Sequence, residues 1–293
     1  IQKLDYLKEL KVTCLYLNPI FEAHSNHRYN TANYENIDPL LGTANDFKEL
    51  CFQAKKRNIK IILDGVFSHT GSDSIYFNKE KRYKSIGAFN SKNSPYFSWY
   101  KFNLWPDKYT SWWGFNTLPE VNEMDHNYIE YITGENGIIQ KWLNLGASGW
   151  RLDVADELPD EFIKKLKKSA KKAKKDSIII GEVWEDASSK ISYYKRRKYL
   201  LGDSLDSVMN YPFRDAIINF IKEGDSENFL DIVLSIIENY PKPVLNSLMN
   251  ILGTHDTPRI LTEISGENIS DKDIQAKSFL PKEKKEKAIK LLK

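Results

Sequence analysis

Cysteine is scarce in this sequence, and long apolar runs are absent from it. The chain has two cysteines among 293 residues, Cys14 and Cys51, so its composition gives neither a disulfide framework nor a cysteine-based zinc motif. We expect both to be small core residues, Cys14 in a buried strand and Cys51 in a helix. No stretch reaches the ~20 apolar residues of a membrane span, and no signal peptide is recognisable. Cytoplasmic and secreted locations therefore both stay open.

The sequence also lacks an excess of either charge. Its 43 basic and 40 acidic residues leave a net charge of +3, which predicts neither a nucleic acid nor an anionic membrane as partner. The lysine-rich stretch 164–175 is predicted to be a solvated helix, because Phe162, Leu166, Ala170 and Ala173 recur at helical spacing beneath the lysines. Aromatic residues are plentiful, with 7 Trp, 16 Tyr and 14 Phe, and this favours sugar binding.

Short β-branched runs alternate with longer amphipathic stretches, which is the pattern of parallel strands joined by helices. It predicts an α/β fold of the (β/α)8 TIM barrel type. The predicted strands are Val12–Leu17, Ile59–Asp64, Ser148–Asp153, Ser177–Glu182, Asp206–Asn210 and Leu245–Gly253. The predicted helices include Ile1–Leu10, Asp46–Lys56, Glu161–Lys174 and Lys282–Lys293.

One connection is far longer than a loop between a strand and a helix requires. Residues 71–119 separate the second predicted strand from the third and are rich in Tyr, Trp, Asn and Ser. We predict that they form a small inserted domain. Residues 1–70 and 120–293 are then the barrel domain.

Polar and ionisable residues gather where four predicted strands end. A parallel barrel has its active site at the carboxyl ends of its strands, so we expect these residues to lie together. The four strand ends are Asp64–His69, Gly149–Asp153, Gly181–Trp184 and Gly253–Asp256.

Two of these strand ends carry carboxyl groups in contrasting settings. Arg151 and Asp153 lie two residues apart, so their side chains point the same way. A neighbouring arginine lowers the pKa of an aspartate and suits it to be a nucleophile, although a plain structural ion pair is the alternative. Glu182 follows Ile178–Ile180, an apolar setting that suits a protonated general acid. Such a pair, at roughly 5 Å, fits a double-displacement reaction.

These segments carry a family resemblance. DGVFSH, GWRLDVADE, GEVWED and LGTHDTPRI resemble, in order and spacing, the four signature regions of the α-amylase family, the thirteenth family of glycoside hydrolases. LPEVN, SNHRYNTANY and MNYPFRD are similar to segments of its neopullulanase, cyclomaltodextrinase and amylopullulanase branch. The resemblance covers nearly the whole chain.

The resemblance implies roles for residues that match the family's motifs. Asp153 would be the nucleophile, Glu182 the general acid/base and Asp256 the stabiliser of the transition state. The substrate, an α-glucan such as starch, pullulan, a cyclodextrin or a maltooligosaccharide, would be cut through a covalent glucosyl-enzyme intermediate. The implied substrate-binding residues are Tyr29, His69, Arg151, His255, Asn122 and Trp184.

The sequence also departs from the family's pattern. Ser68 stands where many members have an asparagine that helps bind calcium, which weakens the usual calcium site, so we expect no cofactor and leave calcium as the alternative. Asn30 and Asn33 occupy positions that are often Asp in relatives. Six strands are recognised where the barrel needs eight, and we expect that the first and eighth strands are missing from a truncated barrel.

Several questions stay open at this point. The first hypothesis is an active hydrolase of α-1,4, or also α-1,6, glucosidic bonds. The alternative is a carbohydrate-binding relative without turnover, or a fragment that keeps the residues and not the geometry. Neither the preferred glucan, nor the balance of hydrolysis and sugar transfer, nor the oligomeric state follows from the sequence.

Overall fold

The computed structural model describes residues 1–266, 271, 274 and 277–292 of the chain. The chain divides into two compact units. The first comprises Ile1–Glu182 and Ile191–Ser207, and the second comprises Val183–Lys190 and Val208–Lys293. Within the described residues, no helix combines the length and the apolarity needed to cross a membrane.

A five-stranded sheet forms the centre of the first unit. Its strands are ordered β1-β4-β7-β8-β11, and β1, β4, β7 and β8 pair in parallel. Short antiparallel pairs flank it: β2 with β3, β5 with β6, and β9 with β10. The strands in chain order are Cys14–Leu17, Phe21–Ala23, Thr31–Ile37, Lys60–Gly65, Phe102–Leu104, Lys108–Tyr109, Gly149–Leu152, Ile178–Gly181, Ile191–Ser192, Lys195–Arg196 and Ser207–Val208, labelled β1 to β11.

Helices alternate with the strands of the main sheet, as the sequence pattern predicts. Those of the first unit are Leu4–Glu9, Ala44–Lys56, His126–Thr133, Ile138–Asn144 and Asp160–Ala173, labelled α1 to α5. Those of the second unit are Tyr211–Glu223, Ser226–Asn239, Lys242–Leu245 and Ile260–Ile264, labelled α6 to α9, and a further helix Lys282–Leu291.

The register of the sheet brings the ends of β4, β7 and β8 together. Asp64 on β4 is paired with Arg151 on β7, and Arg151 is paired with Ile180 on β8. Gly149 permits this close spacing, because a Cβ atom there would lie 2.2 Å from the carbonyl oxygen of Ile178. The polar residues that follow each strand therefore emerge side by side.

Large apolar side chains cover the sheet and fix it in place. Trp142 and Trp150 are fully buried, and the ring of Phe21 lies 5.0 Å from one and 6.0 Å from the other. Phe67 continues the cluster, 5.7 Å from Trp150 and 6.2 Å from Phe162 of α5. Burial of such rings contributes about 2–3 kcal/mol each, which stabilises the sheet behind the polar strand ends.

Five of the six predicted strands are present, four of them shortened and Ile59–Asp64 displaced by one residue to Lys60–Gly65, and the sixth is wrong. In place of a strand at Leu245–Gly253, Leu245 ends helix α8, and Met249 alone forms a bridge, with Met209. Pro241 and Pro243 favour a first helical turn here. The predicted helices are confirmed within a few residues of their ends, although Lys293 of the predicted Lys282–Lys293 lies outside the described residues.

The two cysteines have different environments. Cys51 is buried in α2, as predicted, whereas Cys14 is exposed. The prediction of a buried Cys14 is wrong because Cys14 is the first residue of β1, which stands at the edge of the described sheet.

Candidate active site

Arg151 is the centre of a buried ionic cluster at the ends of β4, β7 and β8. Its Nη1 lies 2.9 and 3.1 Å from the two carboxylate oxygens of Asp64 and 2.7 Å from Oδ1 of Asp153. Its Nη2 lies 2.9 Å from Oε2 of Glu182. The guanidinium is inaccessible to solvent. The sequence prediction that Arg151, Asp153 and Glu182 lie close together agrees with this geometry.

Three carboxyl groups share this one guanidinium, and the pKa of Asp153 reflects it. Burial raises the pKa of Asp153 well above its usual range, the Arg151 guanidinium opposes this, and Asp64 and Glu182 raise it further. The sequence predicted a lowered pKa from the pairing with Arg151 alone. The structure differs because burial and the repulsion of two neighbouring carboxylates outweigh a single cation.

Two tyrosines hold Asp64, the third carboxylate of the cluster. The hydroxyl of Tyr29 donates to Oδ2 of Asp64 at 2.8 Å, and the hydroxyl of Tyr16 donates to the same oxygen. Burial, and then the Asp64 charge, raise the pKa of both phenols, so both act as neutral donors. Sequence reasoning missed Tyr16 and did not assign a role to Asp64. Their position at the ends of adjacent strands was the available signal.

The backbone after Asp153 is strained and contacts Glu182. Val154 has a φ of 40°, a left-handed conformation that costs a β-branched residue on the order of 1–3 kcal/mol. This conformation is accompanied by a 2.7 Å hydrogen bond from the N–H of Val154 to Oε2 of Glu182. The same oxygen also contacts Arg151, so one side of the Glu182 carboxyl is fixed by two donors.

His69 is buried and uncharged near this cluster. Its Nε2 lies 3.1 Å from the carbonyl oxygen of Tyr29 and its Nδ1 lies 3.0 Å from Oγ of Ser68. A carbonyl only accepts, so Nε2 carries the proton and Nδ1 accepts from the Ser68 hydroxyl. Burial lowers the pKa of His69 to about 4. Because Ser68 is buried and already engaged with His69, it does not fit the calcium-ligand role of the family's asparagine.

A tryptophan pair is bound to the loop that follows Asp153. The indole N–H groups of Trp112 and Trp113 donate to the two oxygens of Glu157, at 2.6 and 2.8 Å. The ring of Trp112 lies 5.2 Å from that of His69. Trp113 is 77% exposed and has a φ of 50°. Sequence reasoning assigned no role to these three residues, although Glu157 ends the segment GWRLDVADE and the two tryptophans shortly precede LPEVN.

The remaining predicted residues make other contacts. Asn122 is exposed in the first unit, and its Oδ1 accepts from the N–H of Met124. Trp184, His255 and Asp256 belong to the second unit. There, Trp184 stacks on Tyr211 at 4.0 Å, and Nε2 of His255 lies 3.1 Å from Oδ2 of Asp256. The assigned roles of these four residues stay predictions.

A parallel sheet interleaved with helices, with a carboxylate cluster at the carboxyl ends of its strands, is the arrangement of a (β/α) barrel protein. A family model described as Alpha amylase, catalytic domain matches residues 1–281. The chain belongs to this alpha-amylase family, whose catalytic domain is a TIM barrel. The resemblance seen in the sequence segments is confirmed.

Particular relatives refine this assignment. The chain is 42% identical over 299 residues to the amylopullulanase of Thermoanaerobacterium thermosulfurigenes, covering 92% of this chain and 16% of that protein. It is 34% identical over 276 residues to the cyclomaltodextrinase of Thermoanaerobacter pseudethanolicus, covering 91% of this chain and 45% of that protein. The chain thus groups with the neopullulanase-like branch and spans less than half the length of these relatives.

A solved structure agrees with this assignment. The ligand-free cyclic α-maltosyl-(1→6)-maltose hydrolase of Arthrobacter globiformis superposes with a TM-score of 0.81 at 29% identity, covering 90% of this chain and 58% of that one. The barrel fold predicted from the sequence is confirmed at this level.

Proposed function

We propose that this chain is the catalytic part of a retaining glycoside hydrolase that cleaves α-1,4, and also α-1,6, glucosidic bonds of α-glucans. One observation carries the proposal: Arg151 holds Asp153 through one terminal nitrogen and Glu182 through the other. The two terminal nitrogens of a planar guanidinium reach only groups that lie a few ångströms apart. Retaining enzymes need two carboxyl groups about 5 Å apart.

The two carboxyl groups have distinct parts in this reaction. Asp153, ionised, attacks the anomeric carbon while Glu182 protonates the departing glycosidic oxygen. A glucosyl ester on Asp153 forms, and water activated by Glu182 then cleaves it. Oε2 of Glu182 already accepts from Val154 and contacts Arg151. The transferable proton is therefore carried by Oε1.

The raised pKa of Asp153 indicates that the carboxyl cluster retains a proton, which the reaction needs. With three carboxyl groups around one cation, a proton is retained in the cluster more readily than by isolated acids. Catalysis requires this proton on Glu182 and the negative charge on Asp153. Arg151 favours that distribution, since its contact with Asp153, at 2.7 Å, is shorter than its contacts with Asp64 and Glu182, at 2.9 Å each.

The proposed substrate contacts follow the family resemblance. Tyr29 and His69 lie next to the cluster and would face the sugar at the cleavage point, together with Arg151. Asp256 would stabilise the transition state, with His255 beside it. Asn122 and Trp184 would shape neighbouring subsites, where an exposed indole offers a flat face to a sugar ring.

We further propose that residues 71–119 form an inserted small domain and that the reaction uses no resident metal. The segment has its own antiparallel pair, β5 with β6, and its own aromatic cluster, in which Phe77 lies 4.7 Å from Tyr109 and 4.9 Å from Tyr100. The engagement of Ser68 with His69 supports a chemistry that depends on carboxyl groups alone.

The substrate class is supported by the relatives. One is named an amylopullulanase and another a cyclomaltodextrinase, and the protein of the solved structure is named a cyclic α-maltosyl-(1→6)-maltose hydrolase. Pullulan, cyclodextrins and starch are therefore the glucans to test first. We therefore propose an α-glucan as the binding partner of the chain.

The test compares the native protein with its Asp153→Asn and Glu182→Gln variants. Products from starch, pullulan and cyclodextrin are followed, and the first-formed anomer is read by NMR. Each variant should lose at least about a thousandfold in kcat, and the native protein should release the α-anomer. Asp203→Asn, a change at an exposed carboxylate, is the matched control.

Three outcomes contradict the proposal. If activity persists in both variants, Asp153 is not the nucleophile and Glu182 is not the general acid/base. If the β-anomer is released first, the enzyme inverts the anomeric configuration and does not retain it. A native protein that binds these glucans and cleaves none of them is a carbohydrate-binding relative.

A further inference from the structure

Two adjacent buried residues that follow β4, Ser68 and His69, are joined by a side-chain hydrogen bond. They are 1% and 2% exposed, and Oγ of Ser68 lies 3.0 Å from Nδ1 of His69. Position 68 is also where this chain departs from the asparagine of its family. The contact is therefore a feature of this chain. A hydroxyl that donates to Nδ1 leaves the single N–H of a neutral imidazole on Nε2.

The Nε2–H group of His69 holds the backbone of Tyr29. It lies 3.1 Å from the carbonyl oxygen of Tyr29. Residues 24–30, all of them described by the structure, contain neither helix nor strand and connect β2 to β3. The N–H of Gly71 donates to the carbonyl oxygen of Thr31 at 3.0 Å, which fixes the point where this connection joins β3. The contact of His69 extends that support by two residues.

The backbone that carries the pair is itself fixed. The carbonyl oxygen of Ser68 accepts from the N–H of Val121 at 3.0 Å, and His69 forms an antiparallel bridge with Glu120. The imidazole also packs against the ring of Trp112, at 5.2 Å. What remains adjustable is the orientation of the imidazole in its plane and the nitrogen that carries its proton. The hydroxyl of Ser68 acts on both, because it contacts Nδ1 directly.

Tyr29 connects this pair to the carboxyl cluster. Its hydroxyl donates to Oδ2 of Asp64 at 2.8 Å. Asp64 contacts Nη1 of Arg151 at 2.9 and 3.1 Å, and the same nitrogen contacts Asp153 at 2.7 Å. A continuous series of polar contacts therefore runs from the hydroxyl of Ser68 to the carboxylate of Asp153. In a buried network of this kind each bond orients and polarises the next, so a change at one end is felt at the other.

We propose that Ser68 is a positioning residue that acts through His69 and sets the place of Tyr29 at the carboxyl cluster. This role rests on the proposed function, because it concerns the rate of that reaction. Without the hydroxyl of Ser68, Nδ1 of His69 is a buried acceptor that has lost its donor, which is unfavourable. The imidazole then turns, its hold on the carbonyl of Tyr29 weakens, and the tyrosine hydroxyl no longer supports Asp64.

A double-mutant cycle tests this route. Ser68→Ala should lower kcat/KM on maltoheptaose about tenfold, since a misplacement of about 1 Å costs up to about a hundredfold. In a Tyr29→Phe background the same change should cost less than about twofold, because the hydroxyl through which Ser68 acts is absent. Ser68→Thr keeps a hydroxyl and should retain about half of the activity or more.

Ser94→Ala is the matched control. Ser94 is also buried, and its Oγ donates to the carbonyl oxygen of Ile86 at 2.8 Å. Its loss removes a buried hydroxyl of the same kind and should leave kcat/KM as it is. Ser68→Cys, which is almost the same size and keeps a weak donor, gives the same cycle if Ser68→Ala does not fold.

Two results would overturn the inference: full activity of Ser68→Ala, or an equal loss with and without the hydroxyl of Tyr29. If the protein cleaves no glucan, the proposed function fails, and NMR still decides the role of Ser68. The 15N signals of His69 should show a neutral imidazole protonated at Nε2, and Ser68→Ala should move the signal of Nδ1 and the backbone signals of Tyr29. Signals that stay as they are in Ser94→Ala and also in Ser68→Ala would contradict the proposed contact.

Discussion

At the scale of single residues, Arg151 and Asp64 control the charge state of Asp153. Asp64 and Asp153 are far apart in the sequence. Nη1 of Arg151 nevertheless contacts both carboxylates, at 2.9 Å and 2.7 Å. Asp64 raises the pKa of Asp153 through repulsion, in addition to burial. A nucleophile must be ionised, so the acid side of the pH profile reports this interaction.

We predict that Asp64→Asn moves the acid limb of kcat/KM to lower pH. Loss of the Asp64 charge removes a repulsion that raises the pKa of Asp153, so the limb should move to lower pH. The rate at the optimum should fall about 10- to 100-fold, since Arg151 is less firmly placed. The pH profile of kcat/KM on a maltooligosaccharide measures both effects. An acid limb that stays or moves upward, with Asp203→Asn as the reference, would contradict the prediction.

His69 gives a second effect of pH, this time on stability. Its pKa is lowered from 6.5 to about 4 by burial, so the unfolded chain takes up a proton at a higher pH than the folded one. Stability is therefore lost as the pH falls through the window from 6.5 to 4, by roughly 3 kcal/mol in total. His69→Gln should remove this part of the loss.

Urea unfolding at pH 7, 5.5 and 4.5 measures the effect. The difference in unfolding free energy between the native protein and His69→Gln should shrink as the pH falls. His126→Gln, at an exposed histidine, controls for the loss of an imidazole as such. Parallel pH curves for the native protein and His69→Gln would refute the assignment of a buried neutral imidazole.

At the scale of elements, one carboxylate joins two turns of the first unit. Glu157 ends the turn Ala155–Glu157 after β7, and it accepts from both indoles of the turn Trp112–Gly114. An ionised carboxylate has acceptor sites on both oxygens, whereas an amide has only one acceptor oxygen. A carboxylate at position 157 can therefore accept from both indole N–H groups, whereas an amide has one acceptor oxygen for the two of them.

We predict that Glu157→Gln frees one indole and loosens the turn at Trp113. Quenching of tryptophan fluorescence by acrylamide should increase, while the unfolding free energy changes by less than about 1 kcal/mol, because Trp113 is exposed. Glu161→Gln, at an exposed glutamate of α5, should leave quenching as it is. The increase should vanish in a Trp113→Phe background, and an increase that persists there would assign it to another tryptophan.

The sequence predicted the helices and strands only in part. Apolar periodicity gave the strands that lie within the sheet, because their burial requires continuous β-branched runs such as Ile178–Ile180. Leu245–Gly253 carried a similar apolar signal, yet Pro241 and Pro243 favour a helix there. Exposure of Cys14 depends on which strand stands at the edge, which a local pattern does not contain.

The site was predictable to the extent that it follows strand ends. Arg151, Asp153 and Glu182 were predicted to meet, because parallel strands place their carboxyl ends at one edge. Tyr16 and Glu157 were missed, since their contacts join residues 48 and 45 positions apart in the chain. The strain at Val154 was equally invisible, because valine normally avoids positive φ.

At the scale of the whole molecule, ligand binding and stability are linked. A glucan that binds the folded protein and not the unfolded chain raises the unfolding free energy by about 2.7 kcal/mol at a hundred times its Kd. For a protein of this size, each kcal/mol raises the melting temperature by about 2–4 °C. Binding is therefore measurable without turnover, provided that the chemistry is blocked.

We predict that maltoheptaose raises the melting temperature of the Asp153→Asn variant by about 5 °C at saturation, and that an equal concentration of cellohexaose does not. The variant keeps the size and most hydrogen bonds of the cluster, so the ligand stays intact while the fold is retained. Differential scanning calorimetry over a range of sugar concentrations gives the shift and its saturation. Because both sugars are neutral glucose chains that differ in linkage, equal shifts would show that the protein binds glucose chains without regard to the α-linkage. No shift with maltoheptaose would remove α-glucans as ligands of the folded protein.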